Sequence, residues 1–434
     1  MMHLGAREDD PAPPLSERDA EHRVHGICFK TGPPGALGVE LEWLVCDRID
    51  PVQPVSHDDV RQHLAPFDTP GSLPGNGRLT VEPGGQVELS SAPAAVGDCV
   101  AAACRDLAAM RAALRPAGLT LVGHGIDPYR PPSRVLDLPR YAAMEAFFDR
   151  GGHWGRLMMC STASVQVCVD AGQDRQGQAG YRYRWRLLHA IGPILVATFA
   201  NSPLRAGRPT GWKSTRQLVW ARLDPTRTRA PAGAEPAAAG RPGADPDRLD
   251  PRGEWARYAL DAKVMCVRRD GSRHWTAPAG MTFRDWLRGG GERRPTGADL
   301  DYHLSTLFPP VRPQGHLEVR VIDAQPADGW IVPAALVAAL ADDPVAADTA
   351  MAAAEQVWHG RCLREGSSPW PDAARLGPAD PVLARAGQAC FEAAESALSR
   401  AGTPAPIRHA LTSFADRYIS RGRCPADDML EEIR

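Results

Sequence analysis

The chain has 434 residues, enough for a large buried core, with 43% hydrophobic and 24% charged residues, an ordinary globular balance. A net charge of −2 excludes the global basic field that draws nucleic acid or an anionic membrane. The ten cysteines form no Cys-x-x-Cys pair or zinc-spaced array, and the chain shows neither a secretory leader nor an apolar run of membrane-spanning length, so a reduced, cytoplasmic protein is expected.

Residues 1–19 are charged and Pro-rich, and a loose, disordered tail is expected there. A first strand is predicted over 37–46, where Glu40 and Glu42 share one face and Val39, Leu41 and Trp43 the other. The run from Leu73 to Gly77 is a turn. A second acidic strand comes next, carrying Glu82 and Glu88, with Pro83, Gly84 and Gly85 introducing a bulge or turn that leaves the facing of the pair open. A helix runs from Asp98 to about Arg115, closed by Pro116 and Gly118. Then come a short strand over 119–126, a helix near 140–149 and a strand over 158–169. Residues 181–200 form a helix bent at Gly192 and Pro193. Residues 225–250 hold almost no large apolar side chain and are expected to be a surface insertion. The last acidic strand spans 316–323, and the pattern after 330 is helical. Strands interrupted by helices, then a helical tail, predict an α+β fold with one catalytic domain over 20–434.

If these strands share a sheet, one face presents Glu40, Glu42, Glu82, Glu88, Gln166, Glu318 and Arg320. Clustered carboxylates need a cation, and hard oxygen donors suit Mg²⁺ bridging to nucleotide phosphates. Arg320, two residues from Glu318, is suited to a transferring phosphoryl group. Spacing alone leaves a solvated acidic face equally open. The stretch from Gly207 to Ser214 is not a phosphate loop, since its spacing is wrong and Trp212 separates Gly211 from Lys213.

Several ordered stretches are familiar: TVEPGGQVELS from Thr80, MMCSTASVQV from Met158, FANSP from Phe199, GMTFR from Gly280 and HLSTLFP from His303. Together they resemble the plant-type glutamate–cysteine ligase family. GWKSTRQLVW from Gly211 and DYHLSTLFPPVRP from Asp301 are similar to its actinobacterial, ergothioneine-pathway branch. Ser161 and Cys168 stand where plant members carry Arg and many relatives Asn. The resemblance implies a glutamine-synthetase-like fold, a curved, mainly antiparallel sheet forming a funnel with helices outside. It implies ATP-dependent ligation of the L-glutamate γ-carboxylate to the L-cysteine amine through a γ-glutamyl phosphate. It implies Mg²⁺ on Glu40, Glu42, Glu82, Glu88 and Glu318, and Arg320 and Glu318 as catalytic residues. Arg216 is the candidate for the glutamate α-carboxylate, with a surface ion pair the alternative. Gln166, Thr162 and Ser164 are further substrate contacts. Trp212 and Tyr302 either wall the pocket or pack in the core. Another amine acceptor, or a non-catalytic nucleotide-binding regulator, are the competing readings.

Overall fold

The frame of the molecule is a sheet whose strands lie in the order Arg78–Val81, Val87–Ser90, Leu37–Asp47, Ser164–Asp170, His316–Asp323 and Val311–Pro313, with Leu119–Val122 pairing with the end of Leu37–Asp47. The strands are β1 (Leu37–Asp47), β2 (Arg78–Val81), β3 (Val87–Ser90), β4 (Leu119–Val122) and β5 (Ser164–Asp170), then β6 (Leu204–Arg205) and β7 (Arg208–Pro209), which form a separate hairpin, and finally β8 (Val311–Pro313) and β9 (His316–Asp323). Every pairing in the main sheet is antiparallel. The computed structural model describes residues 15–236, 250–362 and 368–433. No helix among them is long and apolar enough to cross a membrane.

Alternation decides which way the sheet faces. Leu37, Val39, Leu41 and Trp43 of β1, Val87 and Leu89 of β3, Val165, Val167 and Val169 of β5, and Leu317 and Val319 of β9 all enter one apolar cluster. Period-two patterning therefore delivers the intervening residues to the opposite face. The helix Ile331–Asp342 lies against β1 and β5 and is buried around almost its whole circumference. The helices Pro344–Cys362, Pro381–Arg400 and Ala405–Arg417 surround it. This helical region after Trp330 and the antiparallel sheet together make the α+β fold.

One irregularity interrupts the ladder. Val165 pairs with Ile322 but Val167 pairs with Val319, so Arg320 and Val321 together oppose Gln166. Such a bulge leaves backbone groups unpaired and re-aims the side chains beyond it. The carbonyls of Arg320 and Val321 are taken by the side chains of Arg216 and Gln217, each at 2.8 Å. Past the bulge, parity is reversed, and Asp323 comes opposite Ser164.

Four expectations need correction. Residues 154–161 are a helix (Trp154–Ser161), and the strand begins only at Ser164; the run Leu157, Met158, Met159 is buried without alternation, which fits either element in a short stretch. The helix over 181–200 is two helices, Tyr181–Ala190 and Gly192–Thr198. Residues 1–14 of the expected tail lie outside the described residues, but Ser16 caps a helix that starts at Glu17, accepting from the Asp19 N–H. The expected insertion at 225–250 begins as buried structure: Arg227 is fully enclosed, donates to the Thr306 carbonyl at 2.6 Å, and lies over the Phe147 ring. The lack of large apolar side chains is a misleading guide there, because the Arg227 guanidinium is itself enclosed, donating to the Thr306 and Lys263 carbonyls. Residues 237–249 lie outside the described residues.

The turn between β2 and β3 is pressed onto the end of the helix Trp154–Ser161. Gln86 Nε2 donates to the Thr162 carbonyl at 2.9 Å, satisfying an orphan group at that helix end. A Cβ on Gly84 would stand 2.3 Å from the Cys160 carbonyl oxygen and 2.4 Å from its Cα. Backbone cannot yield as a side-chain tip does, so Gly84→Ala is expected to cost about 1–3 kcal/mol in denaturant unfolding; wild-type stability would show that this approach is loose.

Candidate active site

The polar face of the sheet is built by register. Glu42 of β1 stands directly opposite Glu88 of β3, and Glu88 opposite Thr80 of β2. Glu40 stands between Ser90 and Gln166. Glu318 stands between Cys168 and Arg312. Glu82 joins them from the turn after β2, its N–H donating to the Gln86 carbonyl at 2.8 Å. Like charges directly opposite on adjacent strands are unfavourable, so this face stores repulsion that something must balance.

Part of the balance is internal. Arg312 grips Glu318 with a two-pronged contact, Nε to Oε2 at 2.6 Å and Nη2 to Oε1 at 3.0 Å. Arg320 also contacts Glu318, and passes on to the Gln166 amide oxygen. Gln166 Nε2 donates to Glu42 Oε1 at 2.9 Å. A continuous relay thus runs from Arg312 through Glu318, Arg320 and Gln166 to Glu42. Burial alone would push the Glu318 carboxyl up, but the two arginines outweigh it and hold it at about 2.

The other four carboxyls move the opposite way. Burial, then the charges of Glu318 and Glu88, push Glu40 up to about 7. Burial, then Glu88 and Glu42, push Glu82 up to about 8. Burial raises Glu42 despite Arg216 and Arg320. Burial and Glu42 raise Glu88, although Thr80 Oγ1 donates to it at 2.6 Å. All four are half-buried. Carboxyls raised in this way hold their protons unless a positive charge comes near. Among the described residues, no three His, Cys, Asp or Glu side chains stand ready-converged on one metal position. Both Glu318 oxygens are already engaged by arginine. The hard oxygen donors of Glu40, Glu42, Glu82 and Glu88 therefore fit Mg²⁺ chemically, with the arginine-bound Glu318 set apart from them.

The substrate candidates divide. Arg216 is no surface ion pair, because its side chain is 2% exposed. Its Nη1 stands 3.8 Å from Asp323, its guanidinium lies over the Trp220 ring, and its Nε and Nη1 have no hydrogen-bond partner. Gln166 is on the face, in the relay. Ser164 is also there, its hydroxyl bonded to Glu42. The Thr162 hydroxyl instead donates to the Met158 carbonyl at 2.6 Å and serves the helix end. Trp212 packs against the main apolar cluster. Tyr302 lies beneath two guanidinium groups, Arg140 at 5.5 Å and Arg268 at 5.3 Å from the ring centre, and its hydroxyl is buried without a partner.

Three residues escaped sequence reading. Asp323 accepts from Ser202 at 2.6 Å, Ser214 at 2.9 Å and the Asn201 N–H at 2.9 Å; the bulge hid its facing. Arg312 is placed by the β8–β9 hairpin, where the Gln314-Gly315 turn sets it opposite Glu318. Arg140 stands in the first turn of the helix Pro139–Asp149, its guanidinium making no hydrogen bond or ion pair among the described residues; its charge is felt at Glu82, and it stacks on Tyr141 and Tyr302. Nothing in the local sequence announces it.

The family model described as glutamate–cysteine ligase family 2 matches residues 36–433. The glutamate–cysteine ligase EgtA of Mycobacterium tuberculosis is 40% identical over 435 residues, covering 99% of this chain and 93% of the relative. The chloroplastic glutamate–cysteine ligase of Medicago truncatula is 32% identical over 267 residues, covering 59% of this chain and 48% of its own. Among solved structures, a glutamate–cysteine ligase from Francisella tularensis in complex with AMP aligns with a TM-score of 0.48 at 13% identity, covering 93% of this chain and 85% of that one.

The charge balance makes stability depend on pH. A carboxyl raised above its ordinary 4.5 holds its proton longer folded than unfolded, so the stability it contributes is lost as pH rises from 4.5 to about 7 for Glu40 and about 8 for Glu82. Glu318 has the opposite sign, and its window lies below 4.5. In divalent-free buffer the melting temperature is expected to fall between about pH 4.5 and about pH 8, and Glu40→Gln with Glu82→Gln should flatten the slope; a slope unchanged by the pair of substitutions refutes the assignment. Separately, Glu318→Ala strands two largely buried guanidinium groups and is expected to destabilise by about 3–5 kcal/mol in denaturant unfolding, with Glu318→Gln costing less.

Proposed function

Because the chain belongs to glutamate–cysteine ligase family 2, we propose that it uses ATP to join the γ-carboxylate of L-glutamate to the α-amine of L-cysteine. The γ-carboxylate takes the terminal phosphoryl group of ATP, releasing ADP. The cysteine amine then attacks the acyl carbon of the γ-glutamyl phosphate, expelling phosphate and losing a proton. The observation that carries this reading is the set of four cation-demanding carboxylates beside an arginine relay on one sheet face. Glu40, Glu42, Glu82 and Glu88 would hold Mg²⁺, which would supply charge neutralisation for the nucleotide phosphates.

The chain's own residues do the rest. Arg320, held in place by Glu318 and Gln166, stabilises charge on the transferring phosphoryl group. Glu318 acts by orienting Arg312 and Arg320. Arg216, with two unbonded donors, takes the α-carboxylate of glutamate, where a planar fork outperforms a lysine. Arg140 and Tyr302 offer a cation and an unpartnered hydroxyl to the second amino acid. The product serves ergothioneine biosynthesis in a cytoplasmic setting, a reading supported by the sequence likeness to that branch.

The test is direct. The purified chain with Mg²⁺, ATP and glutamate is expected to release ADP rapidly only when cysteine is added, and hydroxylamine should trap γ-glutamyl hydroxamate in its absence. Faster release with another amine would reassign the acceptor. No release with any acceptor, with ATP still bound, would make the protein a nucleotide-binding regulator.

A further inference from the structure

A short segment links the C-terminal helices to the helix that carries Arg216. Residues 211–214 lead into the helix Thr215–Ala221, whose second residue is Arg216. The backbone N–H groups of Lys213 and Ser214 both donate to the Ala374 carbonyl, at 3.0 and 2.9 Å, inside the helix Pro369–Leu376. The Lys213 ammonium contacts Asp427 in the helix Pro425–Glu432, and the two side chains are only 19% and 22% exposed. The other Asp427 oxygen accepts from the Cys424 N–H at 3.0 Å, and the Ala426 N–H donates to the Ala200 carbonyl at 2.9 Å, just before Asn201. Asp427 thus ties the last helix to the segment that carries Arg216.

Arg216 depends on such support. Its guanidinium makes one hydrogen bond, to the Arg320 carbonyl, and its Nε and Nη1 have none. Beyond that bond it has the Trp220 ring at 4.9 Å and Asp323 at 3.8 Å, so with a single hydrogen bond its placement leans on the backbone of its helix. The Ser214 cap of that helix is itself bonded to Asp323, so a shift of residues 211–214 is transmitted to both ends of the Arg216 environment.

We propose that the Lys213–Asp427 pair is a positioning device that sets the affinity for glutamate by holding Arg216 at the correct depth. This rests on Arg216 receiving the glutamate α-carboxylate. A small displacement of a binding group is costly out of proportion to its size, and this pair is a charged contact joining the last helix directly to that segment.

The test uses the full chain. Asp427→Asn keeps an oxygen for the Cys424 cap and removes the charge; Lys213→Met keeps the aliphatic stem and removes the ammonium. Each is expected to raise KM for glutamate roughly three- to tenfold while kcat and KM for ATP stay within about twofold. The double variant should be no worse than either single one, and Asp427→Glu should recover part of the loss. A uniform fall in kcat and a matching rise in every KM, alongside a lower melting temperature, would make the pair merely structural and overturn the proposal. So would an unchanged KM for glutamate in both single variants. Arg216→Ala measured alongside separates the two claims: if it leaves KM for glutamate unchanged, the reading of Arg216 fails; if it raises that KM while Asp427→Asn does not, only the positioning claim fails.

Discussion

The balance of charge around Glu318 is the constraint on which the rest of this molecule turns. A carboxylate 1% exposed would ordinarily be neutral. Two guanidinium groups keep it ionised, and it in turn keeps them in fixed positions. Arg320 then extends its remaining contact to Gln166, which orients its amide toward Glu42. The relay fills the basic half of the sheet face with its own counter-charge. It only partly offsets the acidic half, where burial and mutual repulsion still raise Glu40, Glu42, Glu82 and Glu88 above the usual carboxyl range.

The bulge opposite Gln166 gives this face its second layer. A regular strand would have used the carbonyls of Arg320 and Val321 in the ladder and kept Asp323 on the apolar side. The extra residue releases the carbonyls to Arg216 and Gln217 and turns Asp323 toward Ser202 and Ser214. An irregularity of one residue thereby docks a whole helix against the sheet and delivers its arginine beside the carboxylates. Bulges beside functional sites commonly re-aim side chains in this way.

Much of this was legible from alternation alone. β1 and β9 lie where Glu40, Glu42, Glu318 and Arg320 alternate with large apolar residues, and the helix Val96–Leu114 is where its apolar stripe placed it. The failures have physical causes. Parity cannot be carried across an unseen bulge, which concealed Asp323. A short run of buried residues such as Leu157 to Met159 carries no period, so helix passed for strand. The stretch holding Arg227 reads as a surface insertion for want of large apolar side chains, and a surface ion pair stays open for Arg216, because sequence does not show the carbonyls and rings that enclose a guanidinium. Arg140 acts through distant neighbours, Tyr302 and Glu82, which no local pattern joins to it.

The direct facing of Glu42 and Glu88 carries a consequence for how the chain finds its alignment. Sliding β3 by one residue against β1 would drive Glu88 into the apolar cluster and expose Val87 and Leu89 on the acidic side. The penalty for that error is far larger with glutamates than with neutral polar residues. The same side chains that make the finished surface electrostatically restless therefore act earlier as a key, admitting one pairing and rejecting its neighbours. Replacing them with apolar residues would quiet the surface and at the same time blunt the key.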